Sequence, residues 1–107
     1  MRVMRMLVMF DLPTGNKIER KSYAEFRKFL LKDGYHMDQF SVYTRVLLSR
    51  ESVDAHMKRL KANLPQAGAV TVITLTEKQY EDRAVLVDTR MSSSDGQDLG
   101  AQLTLAF

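Results

Sequence analysis

The sequence predicts an α+β fold in which an antiparallel sheet carries two helices on one face, and three observations predict it. Runs rich in branched and aromatic residues occupy residues 3–10, 35–48 and 69–76, as strands require. Two segments, 17–33 and 50–63, place apolar residues at helical spacing and carry stop or cap residues at their ends. The resulting order is strand, helix, two strands, helix, strand, in a chain of 107 residues with 45% hydrophobic content. That length suits one compact domain with one core.

The first strand is the anchor. Residues 3–10 contain a single charge, Arg5, and no clean alternation of polar and apolar side chains, so both faces are expected to meet protein, as in a central strand. Asp11 follows at its carboxyl end. Pro13 pushes Leu12 toward an extended conformation, and Thr14, Gly15 and Asn16 supply turn chemistry, so the chain leaves the sheet directly after Asp11. Two readings of Asp11 stand side by side: an acceptor for the N–H groups of the turn, or a functional acid on the sheet's rim.

In the first helix, Ile18, Tyr23, Phe26, Phe29 and Leu30 fall on an arc of roughly 140°, and Gly34 ends the segment. Lys17, Arg20, Lys21, Arg27, Lys28 and Lys32 fall on the opposite arc, with Glu19 and Glu25 off it. A one-signed stripe is either a solvated face or a surface for phosphate groups. Residues 35–48 are too long for one ordinary strand and predict two, with a tight turn or bulge at 38–41. Tyr43 is expected to pack. Ser49 can cap the second helix, whose packing side takes Val53, His56 or Met57, Leu60 and Leu64, with His56 at the boundary and Pro65 as the stop. His36 and His56 lack carboxylates at ligand spacing, so no histidine metal site is expected. Lys58, Arg59 and Lys61 either extend the positive surface or favour the helix's carboxyl end.

Residues 66–68 turn into the strand 69–76, residues 76–80 read as a short capped helical turn, and 84–87 as a last short core strand. This order is the ferredoxin-like βαββαβ pattern, an antiparallel sheet covered by two helices, with an additional C-terminal strand. The domain is expected over residues 1–88. From 89 to 101 the composition turns to that of a flexible linker. In residues 102–107, Leu103, Leu105 and Phe107 alternate with polar or small residues, a strand expected to dock on a sheet edge, its own or a partner's.

Composition excludes several classes. With no cysteine there are no disulfides, thiolate metal sites or cysteine nucleophiles, and a reducing cytoplasm is the expected compartment. The apolar run 6–10 is too short for a bilayer span or a signal core, so a soluble, unprocessed protein without a membrane partner is expected. Residues 1–61 hold 13 Lys and Arg against 7 Asp and Glu, and residues 62–107 hold 3 against 6, giving +6 and −3. A basic body suits a polyanionic partner. A small-molecule regulatory domain would need a glycine-rich ligand loop, whereas Gly15 and Gly68 stand alone. An RNA-recognition module would show paired aromatics in a glycine-containing strand, which residues 41–48 lack.

Four motifs, in order, carry a family resemblance: Leu7-Val8-Met9-Phe10-Asp11-Leu12-Pro13 with the Glu19-Arg20-Lys21 helix start; Gln39-Phe40-Ser41-Val42-Tyr43; Asn63-Leu64-Pro65 followed by Gly68; and Thr76-Glu77-Lys78-Gln79-Tyr80. Over residues 4–88 the chain resembles the small CRISPR-associated adaptation proteins of the Cas-two family, in the form found in type II systems. The resemblance implies a homodimer in which Asp11 of each subunit faces its counterpart near the two-fold axis. It implies two activities: bridging two dimers of the CRISPR integrase with a short double-stranded DNA across the complex, and, in some members, divalent-metal-dependent cleavage of RNA or DNA. Holding a duplex needs cations spaced along phosphates. Hydrolysis needs hard oxygen ligands for Mg²⁺, and Asp11 is the one carboxylate the motif offers, as catalytic and metal-binding residue. A scaffold in spacer acquisition with weak nuclease capacity is the leading expectation. The alternative is a metal-dependent endoribonuclease or endonuclease whose cleavage is the main function.

Overall fold

The apolar run that opens the chain becomes β1 (Met4–Asp11), the strand around which the sheet is assembled. The structure is a computed structural model and describes residues 2–90. After β1 come α1 (Lys17–Lys32), β2 (His36–Gln39), β3 (Val42–Leu47), α2 (Arg50–Lys61), β4 (Ala69–Thr76) and the short α3 (Glu77–Glu81). The four strands form one sheet in the order β2-β3-β1-β4, every pairing antiparallel. This is the expected ferredoxin-like arrangement, and β1 is central in it, but its burial alternates and only the Met6, Val8 and Phe10 face is fully packed among the described residues, so the expectation that both faces meet protein is met on one side.

Register and pleat divide the sheet into two unlike faces. Met6, Val8 and Phe10 of β1 point to one side and join Tyr43 and Leu47 of β3, Phe26 and Leu30 of α1, and Val53 and Leu60 of α2 in the core. Phe10 is its aromatic centre, edge-on to Phe26 at 5.3 Å and stacked on Tyr43 at 5.6 Å between ring centroids. Side chains alternate along a strand, so Arg5, Leu7, Met9 and Asp11 share the opposite face. Their register partners there are Val42, Thr44 and Val46 of β3 and Ala69, Thr71, Ile73 and Leu75 of β4. Among the described residues no long helix covers that face, and α3 reaches it, laying Tyr80 against Arg5 at one end, with Arg83 on the same ring.

Local chemistry accounts for the element ends. Asn16 caps α1 by accepting from the Glu19 N–H, Ser49 caps α2 by accepting from Ser52, and Thr76 and Gln79 form a reciprocal capping box on α3. Gly34 ends α1 at φ +93°, with the Arg45 guanidinium filling the space where a side chain would start. Between β2 and β3 the structure uses both a bulge at Asp38 and a tight turn with Ser41 at φ 65°.

The structure corrects four expectations. Residues 84–87 form no strand; Leu86 and Val87 are 67% and 71% exposed, because the apolar pattern says what the segment would bury and not whether a free edge lies within reach. Ile18, at the margin of the apolar arc in the first turn of α1, lies beyond the core and is 79% exposed. Leu64 lies past the end of α2 and is also exposed. His56 is no boundary residue but is buried. Most of the predicted linker and the whole of the terminal strand, residues 91–107, lie outside the described residues.

Candidate nucleic-acid and metal site

Asp11 is held by its backbone and left open at its carboxylate. It pairs with Ala69 across β1 and β4, and Gly68, at φ +100°, passes so close that a Cβ there would stand 2.6 Å from the Asp11 carbonyl. Only glycine tolerates both the dihedral and the approach. The turn after Asp11 finds its acceptors elsewhere: Asn16 takes the Glu19 N–H and Glu19 takes the Gly15 N–H, each at 2.8 Å. The reading of Asp11 as the turn's hydrogen-bond acceptor is therefore overturned. Its side chain is exposed, on the rim of the face that no long helix covers.

The six cations of α1 are all exposed along one side of the helix. Lys17 to Lys32 spans about 22 Å at the usual helical rise, roughly two-thirds of a B-form turn. Among the described residues no carboxylate lies within 4 Å of Lys17, Arg20, Lys21, Arg27, Lys28 or Lys32; the carboxylates in ion pairs serve Arg5, His56, Arg59, Arg83 and Arg90. Two stripe members have other partners. Arg20 reaches the Thr14 carbonyl at 3.4 Å, and Arg27 Nε donates to the buried Tyr43 hydroxyl at 2.7 Å.

The model of the family described as CRISPR associated protein Cas2 matches residues 4–83. This chain belongs to the Cas2 family. A relative from Acidovorax ebreus, named CRISPR-associated endoribonuclease Cas2, is 55% identical over 84 residues, 78% of this chain and 82% of its own length. Relatives of the same name are 46% identical over 97 residues in Streptococcus mutans serotype c, covering 88% of this chain and 89% of the relative, and 48% identical over 79 residues in Flavobacterium psychrophilum, covering 74% and 69%.

Among the described residues no three His, Cys, Asp or Glu side chains come together, and one exposed carboxylate leaves a hard divalent cation short of protein oxygens. Two polar clusters escaped the sequence reading. His56 Nδ1 lies 2.9 Å from Asp33, which also receives Arg59 Nε at 2.8 Å, so the end of α1 is tied to α2. Arg5 is paired with Glu77 beneath Tyr80. Neither had a sequence signal, since the partners lie 23 and 72 residues apart. No helix among the described residues is long and apolar enough to cross a membrane.

Proposed function

We propose that the chain acts in CRISPR adaptation as a homodimer that holds duplex DNA along α1 and bridges integrase dimers. The observation that carries this reading is the α1 stripe: six exposed cations of one sign with no carboxylate among the described residues to neutralise them. Phosphate contacts of this kind position a duplex without reading its bases. The stripe and the uncovered sheet face lie on opposite sides of the molecule, so pairing of subunits leaves the DNA surface free. A two-fold dimer presents each outer surface twice, which suits a bridge between two identical integrase units.

Replacing Arg20, Arg27 and Lys28 with alanine tests the stripe. Each lost phosphate contact lowers the slope of log affinity against log salt by roughly 0.9, so the triple variant is expected to bind duplex DNA more weakly at low salt and with a flatter slope. Unchanged affinity and slope would reduce the stripe to a solvated face.

A second reading, cleavage as a function in its own right, is favoured by the relatives' name and by the open carboxylate of Asp11. A pair formed through the uncovered face would bring two Asp11 carboxylates together and, with a substrate phosphate, approach the oxygen set that Mg²⁺ takes. The ion would supply charge stabilisation and an activated water. Asp11→Asn keeps the shape and removes the charge. It is expected to abolish Mg²⁺-dependent cleavage of RNA or DNA while duplex binding and integration in a reconstituted system persist. Loss of integration with binding intact would make the acid's chemistry, not the scaffold, the essential part.

A further inference from the structure

Between α1 and the β2–β3 turn lies an open cleft of about 830 Å³ that shares only Arg27 with the duplex-binding stripe. Leu12, Tyr23, Arg27, Met37, Phe40 and Arg90 form most of its wall, and no carboxylate among the described residues lines it. Phe40 is 81% exposed, although it sits on a constrained turn and not on a loose end. Ser41, next to it, adopts φ 65°, a conformation uncommon for a residue with a side chain, and its carbonyl accepts from the Phe10 N–H at 3.1 Å. That bond fixes the turn to the end of β1, one residue before Asp11. The ring of Phe40 is thus displayed by rigid backbone, with Met37 also exposed nearby.

The charge of the cleft decides what would occupy it. Arg90 is offset by Asp88, which it holds at 2.7 Å. Arg27 has no such partner: its Nε is used by Tyr43, and no carboxylate among the described residues neutralises it. An exposed aromatic ring beside an unneutralised guanidinium suits a ligand with a flat apolar face and an attached anion. An unpaired nucleotide has both, the base stacking on the ring and the phosphate meeting the cation.

We propose that this cleft, whose wall includes Leu12 next to Asp11 in the chain, binds one unpaired nucleotide of a single strand, with Phe40 as the stacking platform and Arg27 as the phosphate contact. The inference rests on the nucleic-acid reading above and deepens it: the stripe holds duplex, and the cleft takes a base that has left the stack.

The test uses the full chain and its Phe40→Ala and Phe40→Trp variants. Binding is measured to a short labelled single-stranded RNA, to DNA of the same sequence, and to the corresponding duplex. Loss of one base–aromatic stack lowers affinity about five- to a hundredfold, so Phe40→Ala is expected to lose that much on one or both single strands, with the salt slope unchanged. Phe40→Trp should retain binding, and 2-aminopurine in the strand should be quenched by the wild type and the Trp variant but not by Phe40→Ala. Duplex affinity should be the same in all three. Which single strand responds identifies the sugar the cleft accepts. Failure of wild-type duplex binding would fall on the stripe reading. Duplex binding with single-strand affinity indifferent to Phe40, or absent altogether, would overturn this inference alone, as would a change of oligomeric state in Phe40→Ala, which would make the cleft a subunit contact.

Discussion

Arg5 is the one charge in the apolar run of β1, and its surroundings explain why the run tolerates it. Its guanidinium donates to both Glu77 oxygens, at 2.6 and 2.5 Å, and to the Thr44 hydroxyl at 3.2 Å. It also stacks on Tyr80, 4.0 Å from the ring centroid, with Arg83 on the same ring at 3.8 Å. Tyr80 donates to Asp38 at 2.8 Å, and burial together with that carboxylate pushes its hydroxyl up, so it remains a donor. The hydrogen bonds from Arg5 hold the Glu77 carboxyl below its ordinary value. A carboxyl depressed in the folded state stabilises the fold above its unfolded value and loses that contribution as pH falls through its folded value. Glu77→Gln is therefore expected to lower stability at neutral pH by about 1–3 kcal/mol, the cost of leaving Arg5 half-satisfied and largely buried. Its disadvantage should begin to shrink as pH falls below the ordinary carboxylate value of about 4.3, where the unfolded chain takes up the proton first, and should disappear once the folded carboxyl is protonated too. Thermal unfolding from pH 7 to 3 measures this, and curves that stay parallel would show the pair to be incidental.

Elements were legible where local chemistry decides them. The caps at Asn16, Ser49 and Thr76, the stop at Gly34 and the turn at Gly68 all lie where short-range spacing places them. The stripe was equally legible, because helical spacing alone determines which side chains share a side. What failed depended on a distant partner. The run at 84–87 has the composition of a strand, yet pairing needs an edge that the sequence does not locate. Ile18 has the right phase for the core, yet it sits beyond the rim. His56 is buried through a carboxylate on another helix. Asp11 was singled out by its place at a strand end, but its freedom was hidden, because it depends on Asn16 and Glu19 satisfying the turn. Phe40 passed unremarked within its motif, since nothing in the composition tells a displayed ring from a packed one.

At the scale of the molecule, the two faces of the sheet make different demands. One is filled by α1 and α2. On the other, Leu7, Met9 and Val42 are only half-buried, and Val46 and Ile73 are 37% and 39% exposed, a contiguous apolar surface across three strands. A layer of sheet buries its apolar side against another layer, and a second copy related by a two-fold axis supplies one that is complementary by symmetry. Light scattering is expected to give about twice 12.3 kDa. Ile73→Glu places a charge in that face at a site already partly open to water, so the subunit should fold while the pair dissociates. In the proposed pairing, where Asp11 would face its counterpart, like charges would oppose association, so Asp11→Asn is expected to tighten the dimer as Ile73→Glu loosens it. If cleavage draws on two Asp11 carboxylates as proposed, the monomeric variant should then lose it, but keep salt-sensitive duplex binding through the stripe of a single subunit, at reduced affinity. A folded Ile73→Glu that remains dimeric with unchanged dissociation would move the interface elsewhere. The two Asp11 carboxylates would then have no reason to meet, and the metal-dependent reading would lose its geometric basis while the stripe kept its own.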